Sequence, residues 1–348
     1  MPQELLCVAQ RQLEFREYKE SALREGEVRI RSDFGAAKHG TEMAAYKGYG
    51  AQRGNWDSDL ALFKRVESNV NIYPSGPGNM IVGTIVETGP GVSTLAAGDR
   101  VLCYGSFKQT HVRATQGNPY RRCWKVPSGV PWQSAVCLDP ADFAAGAVRD
   151  GNVRIGDAVA IFSMGAIGLV AVQLAKMAGA YPVIALDPLP IRLEAALALG
   201  ADIVLDPSKC DAGVEIKKLT AKRGVDVAIE YSGSVPGLQG ALRSVAFGGA
   251  VVAGAAPPAY SAGLDFGSEA HLNRPNIIFS RACSEPNREH PRWNEDRIYD
   301  LCWRLICEGK INGEIIVTPV VPFDDLLVEY PKIETNPELN IKLGVKFS

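Results

Sequence analysis

Residues 157–187, DAVAIFSMGAIGLVAVQLAKMAGAYPVIALD, constrain the fold of this chain more than any other stretch. A short apolar run at 158–162 carries the β-branched Val159 and Ile161, as a buried strand does. Ser163-Met164-Gly165-Ala166-Ile167-Gly168 follows, then an apolar segment at 169–177 with helical spacing that stops at Gly179. A second apolar run, 183–186, ends on Asp187. Strand, glycine turn, helix, strand and acid in one short unit is the arrangement that binds a dinucleotide. The competing reading is an ordinary βαβ turn that binds nothing.

Each residue of the unit has a physical task. Gly165 lets the backbone approach a pyrophosphate, and Gly168 lets the helix pack closely on the strand. The helix start, at Ala166 and Ile167, offers free N–H groups and a positive dipole end to the phosphates. Asp187 lies 19 residues after Gly168, where a carboxylate accepts hydrogen bonds from ribose hydroxyls and repels a 2′-phosphate, favouring NAD over NADP. Two features depart from the pattern. Ser163 stands where the first glycine of G-x-G-x-x-G belongs, and Arg192 is near enough in sequence to soften the preference against NADP. Ser163 and Arg192 are counted with the cofactor-binding residues.

With 348 residues the chain has room for two domains. At 46% hydrophobic and 22% charged residues it has the make-up of a soluble globular protein. A net charge of −2 gives no ground for nucleic acid or an anionic membrane as a partner. No apolar run approaches the ~18–20 residues that span a bilayer. The opening MPQELLCVAQ lacks a basic start followed by an apolar core, so no signal peptide is expected. Eight cysteines form no C-x-x-C and no zinc-ligand spacing. They are expected as reduced thiols in a cytoplasmic protein.

Taken in order, the N-terminal third reads as an all-β domain. Residues 26–31 alternate as a half-buried strand, 80–88 form a second strand before the turn Gly89-Pro90-Gly91, and Gly98-Asp99-Arg100-Val101-Leu102 repeats turn then strand. Residues 48–59 are polar and glycine-rich, as a surface loop is. An alanine-rich helix is expected at 141–150, with Pro140 in its first turn. Strands are then expected at 158–162, 183–186, 203–205, 225–231, 250–254 and 276–280, with helices between, notably 191–199 and 214–222. That alternation indicates an α/β, doubly wound parallel sheet of Rossmann type. In such sheets ligands lie at the carboxyl ends of strands. Ser232 and Gly254, just past two of these ends, are therefore candidate cofactor contacts. Gly248 and Gly249, before residue 250, either leave room for the nicotinamide half or simply make the turn. Ile298, Leu301, Cys302, Leu305 and Ile306 mark one buried helix face. The last strands are expected at 315–321 and 341–347, returning to the first domain. The expected division is 1–150 with 288–348, and 151–287 for the dinucleotide domain.

The order of these features resembles the medium-chain dehydrogenase/reductase superfamily, and the zinc-type alcohol and polyol dehydrogenases in particular. The resemblance rests on Gly40-Thr41-Glu42 followed by Gly48, Pro77-Gly78-Asn79-Met80 with Gly83, Gly98-Asp99-Arg100-Val101, Asp139-Pro140, the glycine turn, residues 226–230, and Gly248-Gly249. It implies a β-rich catalytic domain of the chaperonin-10 (GroES-like) type around a Rossmann domain. It also implies hydride transfer with NAD(P), a small-molecule alcohol or ketone substrate, and a homodimer or homotetramer.

The sequence departs from the family at the metal. His39 stands where the first zinc ligand, a cysteine, is usual. Asn79-Met80 replaces the usual His-Glu, and Asp139-Pro140 stands where polyol dehydrogenases have Glu-Pro. Residues 102–125 hold only Cys103 and Cys123, so the four-cysteine structural zinc lobe is expected to be absent. Zinc through His39 and Asp139 is left open. The favoured expectation is chemistry without it. His39 then becomes the candidate general acid/base and Thr41, by resemblance, the proton relay. Asp139 is a candidate to orient His39 or act as base, Lys38 to stabilise an alkoxide, and Asn79 to position a substrate hydroxyl. Arg292 and Trp293 are candidates for sugar contact or packing. His111 and His271 read as structural. The expected activity is NAD(H)-dependent interconversion of a secondary alcohol and ketone on a polyol, cyclitol or sugar. The alternatives are a zinc-independent enoyl or quinone reductase and a non-catalytic nucleotide-binding relative.

Overall fold

The computed structural model describes residues 1–48, 54–64, 72–257, 260 and 263–348. The chain forms two compact units: Met1–Ser128 with Thr318–Ser348, and Gly129–Val317.

The first unit opens with the antiparallel hairpin β1 (Gln3–Ala9) and β2 (Gln12–Glu17). Next come β3 (Glu27–Ala36), helix α1 (His39–Tyr46), and the small hairpin β4 (Asn55–Asp57) and β5 (Leu62–Lys64). Strand β4 lies within the stretch 48–59 read as a loop, and β5 follows it; of that stretch, residues 49–53 lie outside the described residues. Strands β6 (Met80–Thr88), β7 (Arg100–Tyr104), β8 (Thr110–Ala114) and β9 (Cys123–Lys125) complete this part of the chain. β3 organises the unit. It pairs β6 along its length, β8 through residues 27–31, and the returning C-terminal strand through residues 34–36, all antiparallel. Leu5, Val28, Ile30, Ile81, Phe107 and Tyr330 lie in its core.

In the second unit, α2 (Trp132–Ala135) and α3 (Leu138–Asp150) precede β10 (Val159–Phe162), α4 (Ala166–Met177), β11 (Val183–Leu186), α5 (Pro190–Ala198) and β12 (Ile203–Leu205). Then follow α6 (Ala212–Leu219), β13 (Val225–Glu230), α7 (Val235–Ser244), β14 (Val245–Ala253), α8 (Glu269–Asn273), β15 (Asn276–Phe279) and α9 (Glu295–Cys307). The six strands run in the order β12-β11-β10-β13-β14-β15, all parallel. This is the doubly wound order, with its switch point between β10 and β13. β10 and β11 are buried at every position, hence their unbroken apolar sequence. The first unit then resumes with β16 (Val317–Pro322), α10 (Leu326–Glu329), α11 (Lys332–Thr335) and β17 (Lys342–Lys346).

Two sequence readings differ from this architecture. The compact units divide at 128/129 and 317/318, where the sequence reading has 150/151 and 287/288; α3 packs on α4 and on α9, within the second unit. Gly248 and Gly249 do not precede a strand; they bulge within β14. The ladder steps from Val225↔Val245 to Val227↔Ala250, and Gly248 takes a left-handed φ of +71° that suits glycine.

Candidate functional site

Each unit contributes a concave region. In the second, a cavity of about 720 Å³ lies beside the carboxyl ends of β10, β11 and β13, lined by Ser163, Asp187, Arg192, Ser232, Ser234 and Arg243 among others. That volume suits a cofactor. The glycine turn leads from β10 into α4. Gly165 is the N-cap of α4 and offers no side-chain cap, so the first N–H groups of the helix stay available to an anion. A Cβ on Gly165 would meet nothing within 4 Å. A Cβ on Gly168 would lie 1.9 Å from the Ser163 carbonyl oxygen, so only glycine fits. Ser163 itself has φ +81°, the backbone shape for which glycine is usual at that position. Ala166 and Ile167 form the first turn of α4.

Asp187 is 2% exposed. Its carboxylate accepts from the N–H groups of Met164 (2.8 Å) and Leu189 (2.9 Å), and the Arg192 guanidinium lies 3.5 Å away. Arg192 therefore sits beside the acid that faces the cavity, and offsets part of its charge. Ser232 is fixed by Glu230, a buried residue whose carboxylate accepts from the Ser232 N–H (2.5 Å), the Ser232 hydroxyl and the Gly233 N–H (3.1 Å). Burial raises the Glu230 pKa against the pull of these donors. Gly254 donates its N–H to the Glu230 carbonyl (3.0 Å), and a Cβ there would lie 2.5 Å from the Tyr231 ring. Ser163, Asp187, Arg192 and Ser232 thus share one cavity, whereas Gly165, Ala166, Ile167, Gly168 and Gly254 are not among its lining residues.

In the first unit a cavity of about 260 Å³ is lined by Lys38, Thr41, Glu42, Asn79 and Tyr330, with Cys7, Tyr46 and Ser75 among the others. Lys38, Thr41 and Asn79 are the sequence candidates gathered there. The Nδ2 of Asn79 is buried and has no acceptor among the described residues, as suits a donor that waits for a ligand oxygen. Glu42 and Tyr330 were not among the catalytic candidates. The Gly40-Thr41-Glu42 motif marks Glu42, but Tyr330 comes from the distant C-terminal segment and no local signal identifies it. The Glu42 carboxylate accepts from the Lys38 N–H, the Gly78 N–H (2.9 Å) and the Tyr330 hydroxyl (2.9 Å). Burial raises its pKa, and the three donors and nearby Lys342 oppose that shift.

His39 is placed differently from its expected role. Its Nε2 accepts the Leu343 N–H at 2.9 Å, pinning the start of α1 to β17. A general base needs its acceptor nitrogen at the substrate, and here Nε2 is taken by the backbone. Asp139 lies in the second unit, in the first turn of α3, 1% exposed. Trp293 carries the Arg149 guanidinium 3.5 Å from its ring centroid and that of Arg297 at 4.0 Å. This is a packed cation–π arrangement rather than a bare sugar platform.

Among the described residues no group of three or more His, Cys, Asp or Glu could hold a metal ion. Asn79 offers an amide, and the His39 Nε2 is already engaged. This set does not match the three protein ligands of a catalytic zinc. Cys103 and Cys123 face each other across the β7–β9 ladder as free thiols. Burial pushes them up to about 11 and about 12.

Comparison with known proteins agrees with both halves. Residues 166–293 match the zinc-binding dehydrogenase family, and residues 51–146 the alcohol dehydrogenase GroES-like domain. The chain is 42% identical over 349 residues to D-guloside 3-dehydrogenase of Escherichia coli (strain K12), covering 99% of each protein. It is 30% identical over 220 residues to sorbitol dehydrogenase of Bacillus subtilis (strain 168), covering 55% of this chain and 62% of that one. Among solved structures, galactitol-1-phosphate dehydrogenase from Escherichia coli shares the fold, with a TM-score of 0.78, 18% identity and 99% of each chain covered. With a Rossmann unit, a GroES-like unit and a full-length dehydrogenase relative, the chain belongs to the medium-chain dehydrogenase/reductase superfamily, among the zinc-type alcohol dehydrogenases, and is an oxidoreductase acting on CH–OH groups.

Proposed function

We propose that the enzyme interconverts a secondary hydroxyl and the matching ketone on a sugar, glycoside or polyol, using NAD(H) and no catalytic zinc. The observation that carries the substrate class is the full-length likeness to D-guloside 3-dehydrogenase. Asp187 at the cavity wall supports NAD over NADP, moderated by Arg192. Bound NAD supplies the hydride acceptor. The uncapped start of α4 holds its pyrophosphate, and Ser232 and Gly254 accept its nicotinamide half. Asn79 and Lys38 donate toward the substrate oxygen and Thr41 passes on its proton, with Asp139 kept as a candidate base. His39 orients the start of α1. The proposed setting is the cytoplasm, in keeping with eight free thiols, and no helix among the described residues is long and apolar enough to cross a membrane. A homodimer or homotetramer is part of the same reading. Its support is β15, the last strand of the sheet, where Phe279 is 78% exposed.

The test offers hexoses, glycosides and polyols with NAD, follows NADH by absorbance, and measures bound metal. Turnover of a sugar or polyol without stoichiometric zinc is expected. Zinc held at one per chain removes the metal-free part, and an equal thermal shift with NADH and NADPH removes the cofactor preference.

A further inference from the structure

Glu42 reaches both segments that carry the catalytic candidates of the first unit. Its carboxylate accepts the N–H of Lys38, which precedes His39 and lies three residues before Thr41, and the N–H of Gly78, which precedes Asn79. Tyr330, wholly buried, donates its hydroxyl to the same carboxylate from the C-terminal segment. The Tyr330 ring is itself held edge-on to Tyr46 and Phe107, with centroids 5.7 and 6.5 Å away. The Gly78 end has no slack. Its φ is +103°, and a Cβ there would lie 2.5 Å from the Phe107 nitrogen. On the other side of Asn79, its N–H donates to the Ala36 carbonyl at 3.0 Å and its carbonyl accepts the Gly105 N–H at 2.9 Å. The Asn79 backbone is therefore fixed from both sides, and Glu42 ties the neighbouring Gly78 to the α1 segment through its side chain.

We propose that Glu42, braced by Tyr330, is a positioning residue. It straps the Gly78-Asn79 turn to the start of α1, so that the Asn79 amide and the Thr41 hydroxyl are presented at one oxygen of the substrate. The proposal rests on the dehydrogenase reading above. An ionised carboxylate is suited to this task because it is acceptor-only with room for several donors, and charge-assisted contacts to N–H groups are the stronger kind. A glutamine keeps the shape but turns an NH₂ toward one of the three donors. A misplacement of an ångström at reacting groups is enough to slow an enzyme about a hundredfold.

The test combines hydrogen exchange with kinetics on the intact enzyme. In Glu42→Gln the Lys38 and Gly78 amides are expected to exchange about tenfold faster or more. The kcat should fall about ten- to a hundredfold, with KM for NAD within about twofold of the parent. Tyr330→Phe spares both amide contacts and guards against misfolding of the first variant. It is expected to speed exchange at the same amides by a smaller factor and to lower kcat without moving KM for NAD. Unchanged exchange at Lys38 and Gly78 in both variants overturns the strap, whatever the substrate. Faster exchange with kcat unchanged overturns its catalytic purpose. Faster exchange in a protein whose parent form oxidises no sugar or polyol supports the strap and sinks the substrate reading instead.

Discussion

At Gly168 a single methyl group would meet the Ser163 carbonyl oxygen at 1.9 Å, and that oxygen belongs to the turn approaching the cofactor cavity. Gly168→Ala is expected to cost about 1–3 kcal/mol of stability and to weaken NADH binding, read by urea unfolding and by fluorescence titration. His111 gives a pH signature of the first unit. It is 5% exposed, and burial, with Arg113 and Lys108 nearby, lowers its pKa from 6.5 to about 3. The native ring stays neutral where the unfolded ring takes a proton, so the unfolded state binds more protons between these values. Stability is fully present above about pH 6.5 and is lost as pH falls from there toward 3, at about 1.4 kcal/mol per pH unit from this group. In His111→Leu the urea midpoint should fall less between pH 7 and pH 5 than in the parent. His111 as a structural residue and Gly168 as a packing residue were legible in the sequence. The engagement of the His39 Nε2 was not, because its partner, Leu343, is 304 positions away.

Among the elements, α9 shows why periodic segments read well. Ile298, Cys302 and Ile306 are buried as their spacing indicates, with Tyr299 added to the face. Its N-cap, Asn294, accepts the Arg297 N–H at 2.9 Å. Asn294→Ala is expected to cost about 1 kcal/mol, as a drop in melting temperature with NADH affinity unchanged. β6, β11 and β12 begin and end where the apolar runs do. β14 does not, since Phe247-Gly248-Gly249 has the composition of a turn and forms a bulge inside a longer strand. Only the pairing partner β13 decides between the two, because the same glycines serve either conformation.

For the whole molecule, the alternation of strand and helix in one part of the chain and of strand and turn in the rest specifies an α/β unit and a β-rich unit, and the C-terminal strand returns to β3 of the first. Replacing Phe279 at the open edge of the Rossmann sheet tests the assembly. Phe279→Asp is expected to sediment as a monomer where the parent sediments as a dimer or larger, with NADH still bound. The sequence by itself determined the nucleotide-binding unit, since strand, glycine turn, helix and acid are adjacent in the chain and their chemistry is local. From residue types alone it also set the expectation that the usual zinc donors are replaced. The tertiary structure decided what stands in that region: Glu42 held by Lys38, Gly78 and Tyr330, and His39 turned to Leu343. Those partners come from segments as much as 304 positions apart, and hydrogen bonds between such segments exist only once the sheet that carries them has closed.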